Sequence, residues 1–275
     1  MEKLVFVLLD GCGWDLAGEN CGFLEHMAEC GKAAKYKVRS ELPSMSRPLY
    51  ATLLCGLPVS QHGIVNNLVS RQLAAPNVFS LCRAAGGSTA AAAYHWVCEL
   101  FTVAPFSPAE HRFLLGGDGA VQNGIYYFED DYPDSHLFAD ALFLTATASP
   151  DFLLVHSMNI DDTGHRYGAH SRERAAAAMK ADLLLSMALP QWLAAGYRVV
   201  VTADHGMGEN GLHGGNTPAQ REVPLYLFGT GIPARVVENP VSQLLVAPLL
   251  CRLLGIAPAP GMQPLGEGGG VFFAK

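Results

Sequence analysis

The chain has 275 residues, half of them apolar and 16% charged, with a formal net charge of −7. That composition excludes a disordered chain and supplies core for one large domain. The acid excess, with no Lys/Arg-rich run, argues against a nucleic-acid polymer as partner. No apolar run approaches the ~20 residues of a membrane span, and the run after Lys3 is too short for a secretory leader. The expectation is therefore a cytoplasmic protein starting at Met1 with no membrane contact. Seven cysteines, odd in number and without a Cys-x-x-Cys pair, predict reduced and mostly buried thiols.

In chain order, Leu4 to Leu9 is a continuous apolar run, as in a strand covered on both faces, and it ends at Asp10-Gly11. Phe23, Leu24, Met27 and Ala28 follow helical spacing, with Gly31 as C-cap. Ala34 to Val38 predicts a strand. Leu49, Leu53 and Leu54 predict a helix, with Pro48 in its first turn and Gly56 closing it. Ser46 then falls at the helix N-terminus, where unpaired amides favour an anion. Asn77 to Ala85 predicts a helix capped by Asn77, and Ser88 to Tyr94 a strand. Residues 95–135, rich in Gly, Pro and aromatic residues, read as a small insertion or cap. Asp134 is expected to cap a helix running to Thr147.

Asp151 to Ser157 reads as a buried strand leading into Asp161-Asp162-Thr163-Gly164-His165. Ser171 to Leu189 predicts a long helix ended by Pro190. Val199 to Thr202 predicts a strand stopping at Ala203-Asp204-His205. Val223 to Phe228 is a further strand, and Val241 to Leu254 a last helix. Strands alternating with helices predict an α/β fold, mostly parallel, with helices on both faces and one domain over 1–275. Ligands in such folds bind beyond the carboxyl ends of the strands. Asp10, Asp161, His165, Asp204, His205 and His213 fall there, with Ser46 in the loop after the second strand. Carboxylates and imidazoles are ligands for Zn²⁺ and similar ions. Six exceed what one tetrahedral ion needs and suit two, the arrangement that clamps attacking and leaving oxygens in phosphoryl transfer.

These residues resemble the alkaline phosphatase superfamily, in its nucleotide pyrophosphatase/phosphodiesterase (type I phosphodiesterase) branch. The matching segments are Asp10-Gly11; Pro43-Ser44-Met45-Ser46-Arg47-Pro48 with Thr52, Gly56 and His62-Gly63-Ile64-Val65-Asn66-Asn67; Asp161-Asp162-Thr163-Gly164-His165; Thr202-Ala203-Asp204-His205-Gly206-Met207; and His213-Gly214. They stand in family order. The resemblance implies an alkaline-phosphatase-like core. It implies one ion, Zn²⁺ with Mn²⁺ as the alternative, on Asp161, His165 and His213, and a second on Asp10, Asp204 and His205. It implies Ser46 as a nucleophile that also meets the second ion, a phosphoseryl intermediate, and Asn67 as a donor to a phosphate oxygen.

Asp162 is the alternative to Asp161, and Ser44 to Ser46; in both pairs the family register favours the residue named above. Arg47 either contacts an anionic substrate group or forms an exposed ion pair. His62 is expected to make a structural hydrogen bond, and His26, His136, His156 and His170 are read as structural. His95 and His111 are read likewise, with substrate contact as their alternative. The family usually has Thr at the nucleophile, an aromatic beside it and Asn after the motif's Pro; here these are Ser46, Arg47 and Leu49. Loss of the aromatic, which helps stack a nucleoside base, weakens the expectation of a nucleotide. A small cap suggests an open site and a small substrate. The expected activity is a phosphodiesterase, with a phosphomonoesterase, a phosphonate hydrolase and a non-catalytic metal-binding protein as rivals. The Cys/Ser-x-Pro-x-Arg arrangement of sulfatases is absent around Ser46. The partner expected is a small phosphate ester or phosphonate, with a homodimer left open.

Overall fold

The computed structural model describes residues 1–273. Nine strands form one sheet: β1 (Lys3–Leu9), β2 (Ala34–Arg39), β3 (Thr89–Tyr94), β4 (Phe113–Leu114), β5 (Asn123–Tyr127), β6 (Phe152–Ser157), β7 (Tyr197–Thr202), β8 (Glu222–Phe228) and β9 (Arg235–Ser242). Their order is β4-β5-β3-β6-β1-β7-β8-β2-β9. β1 lies in the middle, parallel to β6 and β7. β3 extends the parallel set beyond β6 and β5 beyond β3, while β8 runs antiparallel to β7 and β2. Leu4 to Leu9 are at most 2% exposed, because helices cover both faces of the central strands. Burying each such aliphatic side chain contributes about 1.5–3 kcal/mol. The mostly parallel α/β sheet is thus the one the apolar runs predict. All seven cysteines are free, and all but Cys30 are buried.

Four expectations need correction. Residues 95–135 are not set apart as a cap. β5 pairs in parallel with β3 inside the main sheet, and β4 adds an antiparallel edge. Only the helices His95–Phe101 and Pro108–His111 and their loops stand beyond the sheet. The long helix is Arg172–Ala194 and runs through Pro190. A mid-helix proline costs about 3 kcal/mol. Here its ring is exposed, while Leu189 and Trp192 beside it are 1% exposed and anchor the last turn. The last helix begins at Val246 rather than Val241, since Val241 and Ser242 end β9. β9 is an edge strand with a register shift, where Pro240 is tolerated. Asp134 is a first-turn residue of its helix rather than the cap, and its carboxylate accepts from the Ser157 hydroxyl at 2.6 Å.

Parallel strands put their carboxyl ends on one edge. β1 delivers Asp10, β6 leads into the helix Asn159–Tyr167, β7 leads to Asp204-His205, and β2 leads by a loop to the helix Ser46–Cys55.

Candidate metal centre and active site

Asp10, Asp204 and His205 are completely buried, and Asp161 and Ser46 nearly so. Asp161 and His165 lie one turn apart on the helix Asn159–Tyr167, so they share a face and stand 3.1 Å apart. His165 Nε2 also lies 3.1 Å from His213 Nε2. His205 Nε2 lies 3.3 Å from Asp204 and 3.5 Å from Asp10. Two groups of close donor atoms result, Asp10/Asp204/His205 and Asp161/His205/His213, with His205 common to both. The structure therefore brings together all six ligand-type residues singled out in the sequence. Asp162, the rival of Asp161, turns away to pair with Arg166 at 2.8 Å.

The imidazoles are held in one tautomer. His165 Nδ1 faces the Gly211 carbonyl, His205 Nδ1 that of Gly206 and His213 Nδ1 that of Ser44, each at 2.9 Å. A carbonyl only accepts, so Nδ1 carries the proton and Nε2 presents a lone pair to the centre. Metal-ligating histidines are oriented by such backbone contacts. The carboxylates show the same polarity. Gly11 N–H donates to Asp204 Oδ1 at 3.2 Å. Asp204 Oδ2, Asp10 Oδ1 and Asp161 Oδ1 are buried without a hydrogen-bond partner among the described residues, and these oxygens face the imidazole Nε2 atoms.

Lone pairs facing lone pairs in a buried site call for a cation. Burial, and then the Asp204 and Asp161 charges, push the Asp10 carboxyl well above the usual range. Burial followed by Asp161 pushes Asp204 up to about 7. Burial alone would raise Asp161 as well, but the His165 contact and the other imidazoles bring it down to about 2. The donor set fits divalent cations, with the Asp10/Asp204/His205 group fully buried and His165, beside the Asp161/His205/His213 group, 38% exposed at its side chain.

Ser46 is the first residue of its helix and its Oγ lies 3.1 Å from His205 Nε2, which can only accept. Arg47 N–H donates to Asn67 Oδ1 at 3.0 Å, and Pro48 has no N–H. The Ser46 N–H is left as the first-turn amide without a protein acceptor among the described residues. Asn67 uses its carbonyl on the helix, which leaves its NH₂ for another acceptor. Ser44 accepts from Gly214 N–H and donates to the Gly215 carbonyl, a loop clasp.

Arg47 sits differently from either expectation. Its side chain is 4% exposed, paired with Glu99 at 2.7 Å and stacked on Trp96 at 4.6 Å, so the pair is buried rather than exposed and its charge is matched within the protein. His62 accepts from Ile64 N–H and meets Thr52 Oγ1 at 3.0 Å, the structural bond expected of it. Two further residues touch Asp10: Tyr50, which the sequence reading missed and whose hydroxyl donates to Oδ2, and His156, read there as structural, whose Nε2 lies 3.3 Å from the same oxygen. For His156 a signal existed, since an imidazole within an apolar strand must find a polar partner.

A family model described as type I phosphodiesterase / nucleotide pyrophosphatase matches residues 4–218. The catalytic subunit of GPI ethanolamine phosphate transferase 3 from Mus musculus is 28% identical over 181 residues, covering 60% of this chain and 16% of that protein. The catalytic subunit of GPI ethanolamine phosphate transferase 2 from Homo sapiens is 23% identical over 278 residues, covering 93% of this chain and 26% of that protein. The chain thus spans roughly a quarter or less of the length of these relatives. Among solved structures, murine ectonucleotide pyrophosphatase / phosphodiesterase 5 matches with a TM-score of 0.74 at 14% identity, covering 94% of this chain and 96% of that one. BT1596, a 2-O GAG sulfatase, matches with a TM-score of 0.63 at 17% identity, covering 94% and 72%. At such identities the structural likeness speaks for a shared alkaline-phosphatase-like fold, and it is the family model, covering most of the chain, that makes this protein a member of the type I phosphodiesterase / nucleotide pyrophosphatase family.

Proposed function

We propose that the protein is a two-metal phosphodiesterase working through a phosphoseryl intermediate on Ser46. The observation that carries this is the Ser46 hydroxyl at a helix N-terminus, 3.1 Å from the one histidine shared by both donor groups. Asp10, Asp204 and His205 would hold one ion, and Asp161, His165 and His213 the other, with Zn²⁺ favoured by the N/O donor set and Mn²⁺ as the alternative. When bound, the ions supply positive charge that favours the ionised serine and offsets charge on the phosphoryl oxygens.

The protein's own part follows from the geometry. Ser46 Oγ forms a bond to phosphorus as the ester bond to the leaving alkoxide breaks, and the serine proton passes to solvent. The Ser46 N–H and the Asn67 NH₂ donate to non-bridging oxygens, where charge develops. Water then attacks the phosphoserine, restores the hydroxyl and releases the monoester product. A diester fits better than a monoester, because Arg47, the cation next to Ser46, is neutralised by Glu99 and adds nothing for a dianion.

The names of the relatives favour a second reading, in which the same phosphoseryl group passes to an alcohol instead of water. Turnover of bis(p-nitrophenyl) phosphate, p-nitrophenyl phosphate and a p-nitrophenyl phosphonate, with zinc or manganese supplied, tests the proposal. The diester is expected to be fastest, and Ser46→Ala to abolish turnover with metal content unchanged. A faster monoester or phosphonate would move the activity to that class. Failure on all three, with metal bound, would favour a non-catalytic metal-binding protein. Glycerol as added acceptor separates the second reading, since transfer diverts product from the hydrolysed monoester to its glycerol ester.

A further inference from the structure

Asp10 is the carboxylate at the end of the central strand, and the two oxygens of its side chain have different surroundings. Oδ2 receives the Tyr50 hydroxyl and faces His156 Nε2 at 3.3 Å. Oδ1 is buried, has no hydrogen-bond partner among the described residues and lies 3.5 Å from His205 Nε2. The tautomer of His156 is set by its other nitrogen. Tyr94 N–H donates to Nδ1 at 3.4 Å, so the ring proton sits on Nε2 and points at Asp10.

Every part of this arrangement is inside the protein. His156 is 0% exposed and Tyr50 1% exposed. Their rings meet edge to face at 4.6 Å, so each fixes the other. The His156 carbonyl accepts from the Tyr127 hydroxyl at 2.8 Å, which ties β6 to β5 at the same level. The second donor group has no such backing. Asp161 Oδ2 meets the His165 imidazole at 3.1 Å, and the His165 side chain is partly open to solvent.

We propose that Tyr50 and His156 are positioning residues for the buried ion, a two-donor clamp on Asp10 Oδ2 that reserves Oδ1 as the ligand and makes the two metal sites unequal. The proposal rests on the two-metal reading of the site. It assigns a role to a histidine that lies outside the ligand set and to a tyrosine on the helix that carries the nucleophile. Fixing one oxygen with two donors leaves the carboxylate a single orientation, with the free oxygen toward Asp204 and His205. Outer partners of this kind commonly change metal affinity about 10–100-fold.

The test is a calorimetric titration of chelator-stripped protein with Zn²⁺, on wild type, Tyr50→Phe, His156→Leu and His156→Gln. Wild type is expected to bind two ions with distinct affinities. Tyr50→Phe and His156→Leu are expected to weaken one of the two steps about 10-fold or more and leave the other unchanged. His156→Gln, which can place an amide N–H near the former Nε2, is expected to restore most of the loss. Thermal melting of the stripped proteins shows whether each variant folds, and Tyr50→Phe keeps the reading available if the buried histidine cannot be replaced. Unchanged titrations in folded variants would overturn the clamp alone. Equal weakening of both steps would also overturn it, in favour of a general structural role. Failure of the wild type to bind two ions would overturn both the clamp and the two-metal reading beneath it.

Discussion

Gly11 shows how closely single residues are fitted around the centre. Its φ is +71°, and a Cβ there would lie 2.9 Å from Asp161 Oδ1. Gly11→Ala is expected to displace Asp161 and cost about 1–3 kcal/mol of backbone strain, read as a lower melting temperature and a weakened second Zn²⁺ step. The carboxylates set a pH dependence whose sign follows from Asp204, raised to about 7 by burial and by Asp161. Below that pH the carboxyl holds a proton that a metal must displace. Zn²⁺ affinity is therefore expected to be full above about pH 7 and to fall below it, with protons released on binding, as calorimetry in buffers of different ionisation enthalpy measures. Asp10, Asp204 and His205 were legible in the sequence because they end apolar β-branched runs. Tyr50 was not, because nothing in Leu49-Tyr50-Ala51 distinguishes a hydroxyl on Asp10 from an ordinary core aromatic.

The helices Ser46–Cys55 and His95–Phe101 are joined by the buried Arg47–Glu99 pair. Glu99 Oε1 also accepts from Ser70 Oγ at 2.9 Å and Phe106 N–H at 3.1 Å, and Arg47 donates to the Val69 carbonyl at 3.0 Å. The pair thus fixes the loop that carries Asn67 against the helix that carries Ser46. Removing one partner strands the other, so Arg47→Met alone or Glu99→Gln alone is expected to cost about 3–5 kcal/mol. The double variant is expected to cost less than the sum, as denaturant melts in a double-mutant cycle would show. Additive losses would mean that the pair does not act as a unit. The sequence placed Arg47 beside the nucleophile but could not name its partner, since Glu99 lies 52 positions away in a stretch read as a cap. β5 was hidden there for a similar reason: a five-residue strand after a Gly-rich turn carries little periodicity of its own.

Across the whole molecule, the parallel sheet gathers residues as distant in sequence as Asp10 and His213 at one edge. The order of apolar runs made that edge legible, while β9, with its charges and Pro240, showed none of the usual pattern of a strand. Ions bound there would crosslink several separate loops. Chelation is expected to lower the melting temperature, and Zn²⁺ at about 100 times its dissociation constant to restore about 2.7 kcal/mol of stability. An unchanged melt on chelation would contradict that coupling. The central claim is that three carboxylates and three imidazole Nε2 atoms form two cation sites around Ser46. X-ray diffraction from zinc-loaded crystals at the zinc absorption edge tests it most directly. Two anomalous peaks are predicted, one against Asp10, Asp204 and His205 and one against Asp161, His165 and His213, both near Ser46 Oγ. A single peak, or zinc bound elsewhere with these six residues unliganded, would contradict it.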